Sequence, residues 1–168
     1  LYFQWFPLDN KHNQWFDHIG VSISHDGGNI WSERKGVSLS GVPCTVFGSR
    51  TRPMDPCALT LSNGSIRLYF TLEPFRPSKK FLGDAQIHSA ISNDGRSFTY
   101  EKGVRFAIND IDLRDPAVVF FQGKWHLFLP DQKNRGTGYY ATSPDGLNFE
   151  RQQNVRVGDD GNWLGHAT

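Results

Sequence analysis

Several features are scarce in this sequence of 168 residues, and each scarcity excludes something. Cysteine occurs only at Cys44 and Cys57, too few for a disulfide scaffold. The pair lies thirteen positions apart and reads either as one bridge or as two buried thiols. There is no Cys-x-x-Cys. His12, His18, His25, His88, His126 and His166 show no tight ligand spacing, so neither metal nor cofactor is expected. No charge predominates: 18 Lys and Arg against 17 Asp and Glu leave a net charge of +1. A nucleic-acid partner would call for a basic block, and none is present. No apolar run approaches the ~20 residues of a membrane span, so no membrane partner is expected. No long window keeps an apolar period of 3.6, so helices are not expected either.

What the chain has in quantity is ring surface. Aromatics make up 14% of it (13 Phe, 5 Trp, 5 Tyr), more than suits a chain that never packs. Length and composition fit one globular domain. The N-terminal residues do not read as a signal peptide, which leaves mature, trimmed and cytoplasmic origins open.

Self-similarity is the strongest signal. Ile19-Gly-Val-Ser-Ile-Ser-His-Asp26-Gly, Ile87-His-Ser-Ala-Ile-Ser-Asn-Asp94-Gly and Gly138-Tyr-Tyr-Ala-Thr-Ser-Pro-Asp145-Gly each run an apolar strand into a Ser-x-Asp-Gly turn. An aromatic residue follows each turn: Trp31, Phe98 and Phe149. A second element precedes the later two. Met54-Asp-Pro and Arg114-Asp-Pro open apolar strands, which turn at Asn63-Gly64 and Gln122-Gly123 into Ile66-Arg-Leu-Tyr-Phe70 and Trp125-His-Leu-Phe-Leu129. The spacings agree. Ser92 to Ser143 and Asp115 to His166 are both 51 residues, Leu1 to Leu68 is 67, and Ile19 to Ile87 is 68. Leu1-Tyr-Phe-Gln4 matches the end of a protease-cleavable tag, but the 67-residue register predicts a native strand there.

Four antiparallel strands recurring every ~50–60 residues indicate an all-β chain of β-propeller blades. Residues 1–40 supply strands 2 to 4 of one blade, 54–106 and 114–157 are full blades, and 165–168 begin another. About three blades are therefore present. Closed propellers take ~4–8 blades, so further chain segments or an oligomer would close the ring.

Antiparallel geometry then sorts the polar residues by end. Asp55, Asp115 and His166 begin inner strands and should ring one mouth of the channel. Trp5, Glu73 and Asp131 end second strands there, and Asp17 and His18 enter a third strand at the same mouth. The Ser-x-Asp-Gly turns lie at the opposite end, where Asp26, Asp94 and Asp145 are expected to tie down their own turns. Of the four glutamates, Glu73 alone falls at the mouth.

Arg114-Asp115-Pro116, with its apolar strand and Gly123-Lys-Trp125, resembles the Arg-Asp-Pro region of invertase-like and arabinanase-like glycoside hydrolases of families 32, 43, 62 and 68. Leu1-Tyr-Phe-Gln-Trp-Phe-Pro7 with His18-Ile-Gly-Val-Ser-Ile-Ser24 is similar to the first blade of invertase-like members. The resemblance implies a five-bladed propeller, usually secreted or periplasmic, that acts on glycosidic bonds of oligo- or polysaccharides. Such enzymes use a first-blade carboxylate, a tuning aspartate and a glutamic acid; two carboxyl groups suit the chemistry because one protonates the leaving oxygen while the other attacks or activates water. Asp115 matches the tuning aspartate and Arg114 its substrate-contacting neighbour. Where the acid is due, 51 residues on, stands His166, a departure in charge type and pKa. Catalytic candidates are therefore Asp115, Asp55 and His166; candidates for sugar contact are Arg114, Glu73, Asp131, Trp5, Asp17 and His18. Two other classes stay open: a non-catalytic carbohydrate-binding propeller, and a sialidase-like one, since Ser24-x-Asp26-x-Gly28-x-Ile30-Trp31 resembles that group's aspartate box.

Overall fold

A computed structural model describes residues 1–5, 8–9, 14–15, 18–42, 52–73, 85–134 and 137–156, with backbone alone at 8, 9, 14, 15, 18, 52 and 73. The described residues form strands and turns, without a helix. Sheet one joins β1 (Tyr2–Trp5), β4 (His18–Val21) and β5 (Lys35–Gly36), while β2 (Leu8–Asp9) and β3 (Gln14–Trp15) form a separate hairpin. Sheet two has the order β6 (Ser38–Ser40), β10 (Ser97–Phe106), β9 (Gln86–Ser92), β8 (Ile66–Glu73), β7 (Arg52–Thr60). Sheet three runs β11 (Ala117–Phe121), β12 (Lys124–Pro130), β13 (Thr137–Ser143), β14 (Glu150–Arg151), with β15 (Val155–Arg156) also on β13.

The N-terminal residues are a paired strand: Tyr2 opposes Val21 and Trp5 opposes His18. Val37 donates to Ile19 O in sheet one, whereas Ser38 donates to Arg96 O in sheet two. Within one residue the chain changes sheets, and β6 runs parallel to β10. Sheet two thus carries a fifth strand beyond the four of its repeat.

The repeat works because β8, β9 and β10 of sheet two contribute side chains to a core on each face. In β8, Leu68, Phe70 and Leu72 join Ala90 and Phe98 of their own sheet in a cluster with Ile19 of sheet one. Tyr69 belongs to the other cluster, with Ile87 of its own sheet, Leu113 ahead of β11, and Val118, Leu127, Leu129, Tyr139 and Ala141 of sheet three. Both faces are buried, so β8 reads as a nearly continuous apolar run. Each such fully buried side chain contributes roughly 1.5–3 kcal/mol. Sheets three and two therefore share one core, and sheets two and one the other.

Hairpin chemistry sets the register. Gln122 and Gly123 both have positive φ, 48° and 79°, the pattern of a type I′ two-residue turn between Phe121 and Lys124. In the Ser-x-Asp-Gly turns the aspartate accepts backbone N–H groups of its own turn. Asp94 Oδ1 takes Arg96 N at 2.8 Å and Ser97 N at 2.7 Å, and Asp145 Oδ1 takes Leu147 N at 2.8 Å and Asn148 N at 2.9 Å. Backbone donors hold the Asp94 carboxyl well below the usual range. At Asp145 burial pushes upward, but the same kind of bonds prevails and the net direction is down.

These turns also join the sheets. Tyr2 Oη donates to Gly95 O at 2.8 Å, and Tyr69 Oη, 67 residues on, donates to Gly146 O at 2.8 Å. Each blade is latched to the next through the glycine of its turn. A Cβ on Gly146 would lie 2.7 Å from Tyr69 Oη and 2.8 Å from both Arg67 and Trp125, and φ there is 72°. Glycine is required on both counts.

Candidate functional site

The site begins with a backbone anomaly. Proline cannot donate to a ladder, and β7 shifts register between Met54 and Cys57, around Asp55-Pro56. Asp55 takes a left-handed backbone with φ of 54°, and Asp115, ahead of β11, takes φ of 53°. A residue before proline is normally pushed to extended backbone, so this conformation costs on the order of 1–3 kcal/mol at each position. Aspartate is among the side chains that tolerate it. The same strain at equivalent points of two repeats marks where function is to be sought.

Hydrogen bonds across three sheets hold that geometry. Gln4 of β1 accepts the Asp55 N–H at Oε1, 3.3 Å away, and Asp55 Oδ2 accepts the Asp115 N–H at 3.4 Å. Gln132 Nε2 donates to Asp115 Oδ2 at 3.4 Å. Both aspartates are half-buried. Arg114 sits beside them, its guanidinium bound to Asp112 Oδ2 at 3.0 Å and lying 3.2 Å from Met54 Sδ.

Electrostatics distinguishes Asp55. Burial raises its carboxyl above the ordinary range, and the neighbouring Asp115 carboxylate raises it further. The Asp115 N–H and the Arg114 charge oppose the shift without cancelling it. Thr71 also opposes it; its fully buried hydroxyl stands close to Asp55 but outside hydrogen-bonding geometry. A carboxyl so placed keeps its proton longer on rising pH than an isolated one.

Of the other expected residues, Asp131 and Trp5 make contacts of their own. Asp131 is 8% exposed and spends its carboxylate on its own loop, accepting Lys133 N at 3.0 Å, Asn134 N at 3.2 Å and Asn134 Nδ2 at 2.9 Å. Burial pushes that carboxyl up, but the bonds from Asn134 and Lys133 outweigh it and the net direction is down. Trp5 packs its ring on Gly36 in β5. Successive strand residues face opposite ways, so Gln4 reaches Asp55 while Trp5 turns from it. Glu73 and His18 are described by backbone only, pairing with Arg52 and Trp5. Asp17, His166 and Cys44 lie outside the described residues. Cys57 is a free thiol whose sulfur accepts the Val118 N–H at 3.3 Å. Among the described residues no group of three or more His, Cys, Asp or Glu side chains is placed to hold a metal ion.

Sequence reasoning missed Gln4, Gln132 and Thr71. Gln4 and Gln132 carry no charge, which is why a search for carboxylates and histidines passed over them. Their signal was positional: each directly adjoins a residue, Trp5 or Asp131, already assigned to the mouth.

No family model and no curated protein matches the chain. Solved structures do. A family-43 glycoside hydrolase from a capybara gut metagenome aligns with TM-score 0.60 at 13% identity, covering 88% of this chain and 27% of its own. A thermostable family-43 glycoside hydrolase gives TM-score 0.59 at 13% identity over 90% of this chain and 50% of its own. A family 117 glycoside hydrolase of the marine bacterium Zobellia galactanivorans gives 0.56 at 20% identity, over 79% and 47%. At these identities the likeness is one of fold: the chain forms part of a β-propeller of the kind on which these glycoside hydrolases are built. It spans half or less of each of them.

Proposed function

We propose that this chain carries part of the active mouth of a glycoside hydrolase acting on oligo- or polysaccharides, with Asp55 and Asp115 at its centre. One observation carries the reading: two strained Asp-Pro aspartates from adjacent sheets meet through the Asp115 N–H and the Asp55 carboxyl at 3.4 Å. The fold shared with glycoside hydrolase structures agrees with it.

In this reading Asp55, whose hold on its proton is strengthened by burial and by its neighbour, gives that proton to the glycosidic oxygen as the C–O bond breaks. Asp115 accepts a sugar hydroxyl and faces the positive charge that develops at the anomeric carbon. Water adds to that carbon, and the proton it releases restores the acid, so atoms and charge balance. Arg114 flanks the pair and contacts substrate hydroxyls. Carboxylates from segments outside the described residues would complete the set, either from further chain segments or from an oligomer.

Asp115→Asn tests the reading, because asparagine also accepts the left-handed backbone. Hydrolysis of aryl arabinosides, aryl xylosides and sucrose-type substrates should fall by at least about a hundredfold. The melting temperature should stay within a few degrees of the parent's. Unchanged turnover would remove Asp115 from the mechanism. A parent that binds oligosaccharide but turns over none of these substrates would point to a non-catalytic binder.

A further inference from the structure

We propose a second carbohydrate-binding cleft at the opposite end of the blades, between sheets two and three. This rests on the carbohydrate reading above for the class of ligand, but not on any residue of the Asp55–Asp115 pair. The cleft has a volume of about 470 Å³, within the ~300–1,000 Å³ common for ligand sites. It opens at the end of β7 around Ser62 and Asn63. Asp55 lies at the other end of that strand, so at ~3.3 Å per residue the two sites are roughly 16 Å or more apart.

Its lining suits a neutral, hydroxylated ring. The Phe120 side chain is 53% exposed, with its centroid 5.3 Å from the Trp125 ring at 56°. Stacking on such exposed ring surface is how pyranose and furanose C–H faces are held. The Arg67 guanidinium, also in the lining, lies 5.6 Å from the Trp125 ring centroid. That cation is neutralised: Nε and Nη2 donate to Glu101 at 2.9 and 3.0 Å, and Nη1 donates to Asp145 O at 3.1 Å. The Asp145 carboxylate is likewise spent on its own turn. Both nearby charges are thus accounted for, which disfavours an ionic ligand. Asn63 accepts Ser65 N and Oγ at its Oδ1, at 3.1 and 2.7 Å, and its amide stands with Ser62 in the lining of the cleft. Rings with an amide and a hydroxyl beside them, carrying no open charge, fit a saccharide chain better than a phosphate or a peptide carboxylate. The cleft would hold a polysaccharide while its cleavable end lies at the other mouth.

Affinity electrophoresis in gels containing arabinan, xylan or inulin tests this, run beside turnover of a small aryl glycoside. The parent should be retarded by at least one polymer. Phe120→Ala should weaken that retardation roughly tenfold, and Phe120→Tyr should restore it, with aryl glycoside turnover unchanged in both. Asp115→Asn should lose turnover and keep the retardation. Retardation by none of the three polymers, or equal retardation of parent and Phe120→Ala, overturns the proposal. Should the parent turn over no glycoside yet bind polymer through Phe120, the cleft stands and the hydrolase reading falls.

Discussion

At the scale of single residues, glycine and aspartate carry most of the information. Gly146 has no room for a methyl group and sits at positive φ, beneath Tyr69, Arg67 and Trp125. Gly146→Ala is expected to cost about 2–4 kcal/mol, from backbone strain plus overpacking. For a chain of this size that means a melting temperature lower by about 5–15 °C. Thermal unfolding followed by circular dichroism checks it. Asp55 should behave in the opposite sense. Its carboxyl is raised in the folded protein, so the stability it contributes is full below the ordinary carboxylate range and is lost as pH rises through the raised value. Asp55→Asn should therefore melt no lower than the parent at pH 7, and the difference should shift toward the parent as pH falls through the raised value, levelling off below the ordinary ~3.9. Melts of both proteins between pH 3.5 and 8 measure this. A carboxyl that lowers stability at neutral pH fits a strained, half-buried position.

At the scale of elements, the latch between blades is the test piece. Tyr69 is fully buried, and burial pushes its hydroxyl up to about 12, so it stays a donor to Gly146 O across the ordinary pH range. Tyr69→Phe removes that bond and leaves a buried carbonyl unpaired, an expected loss of about 1–2 kcal/mol. Urea unfolding with an unchanged m-value would record it, and Tyr2→Phe, at a half-buried latch, should cost less. The strands themselves were legible. Leu1 to Leu68 and Ile19 to Ile87 repeat in register, and the segments they define pair as β1, β4, β8 and β9. The crossing at Val37 was not legible, because the preceding Gly36 is still paired in β5 opposite Gly20 and no turn separates β5 from β6. Val37 N still bonds sheet one while Ser38 N bonds sheet two, a choice made by tertiary contact alone. Asp131 shows the same limit: strand position put it at the mouth, but Lys133 and Asn134 behind it fold the loop back onto its carboxylate.

At the scale of the whole molecule, the central claim is that two Asp-Pro repeats on different sheets make one coupled site. The repeat spacing pointed to Asp55 and Asp115 together, but neither the left-handed backbone nor the glutamines that brace it could be read from spacing. Those depend on β1, β7 and the approach to β11 meeting at one point. Carboxyl carbon-13 NMR on aspartate-labelled protein tests that meeting most directly, by titrating Asp55 in the parent and in Asp115→Asn. In the parent the Asp55 midpoint should lie above the ordinary ~3.9. Removing the Asp115 charge should lower it without returning it to the ordinary value, because burial is the larger cause. An Asp55 midpoint that is ordinary in the parent, or that does not move when Asp115 becomes asparagine, would contradict the coupled pair.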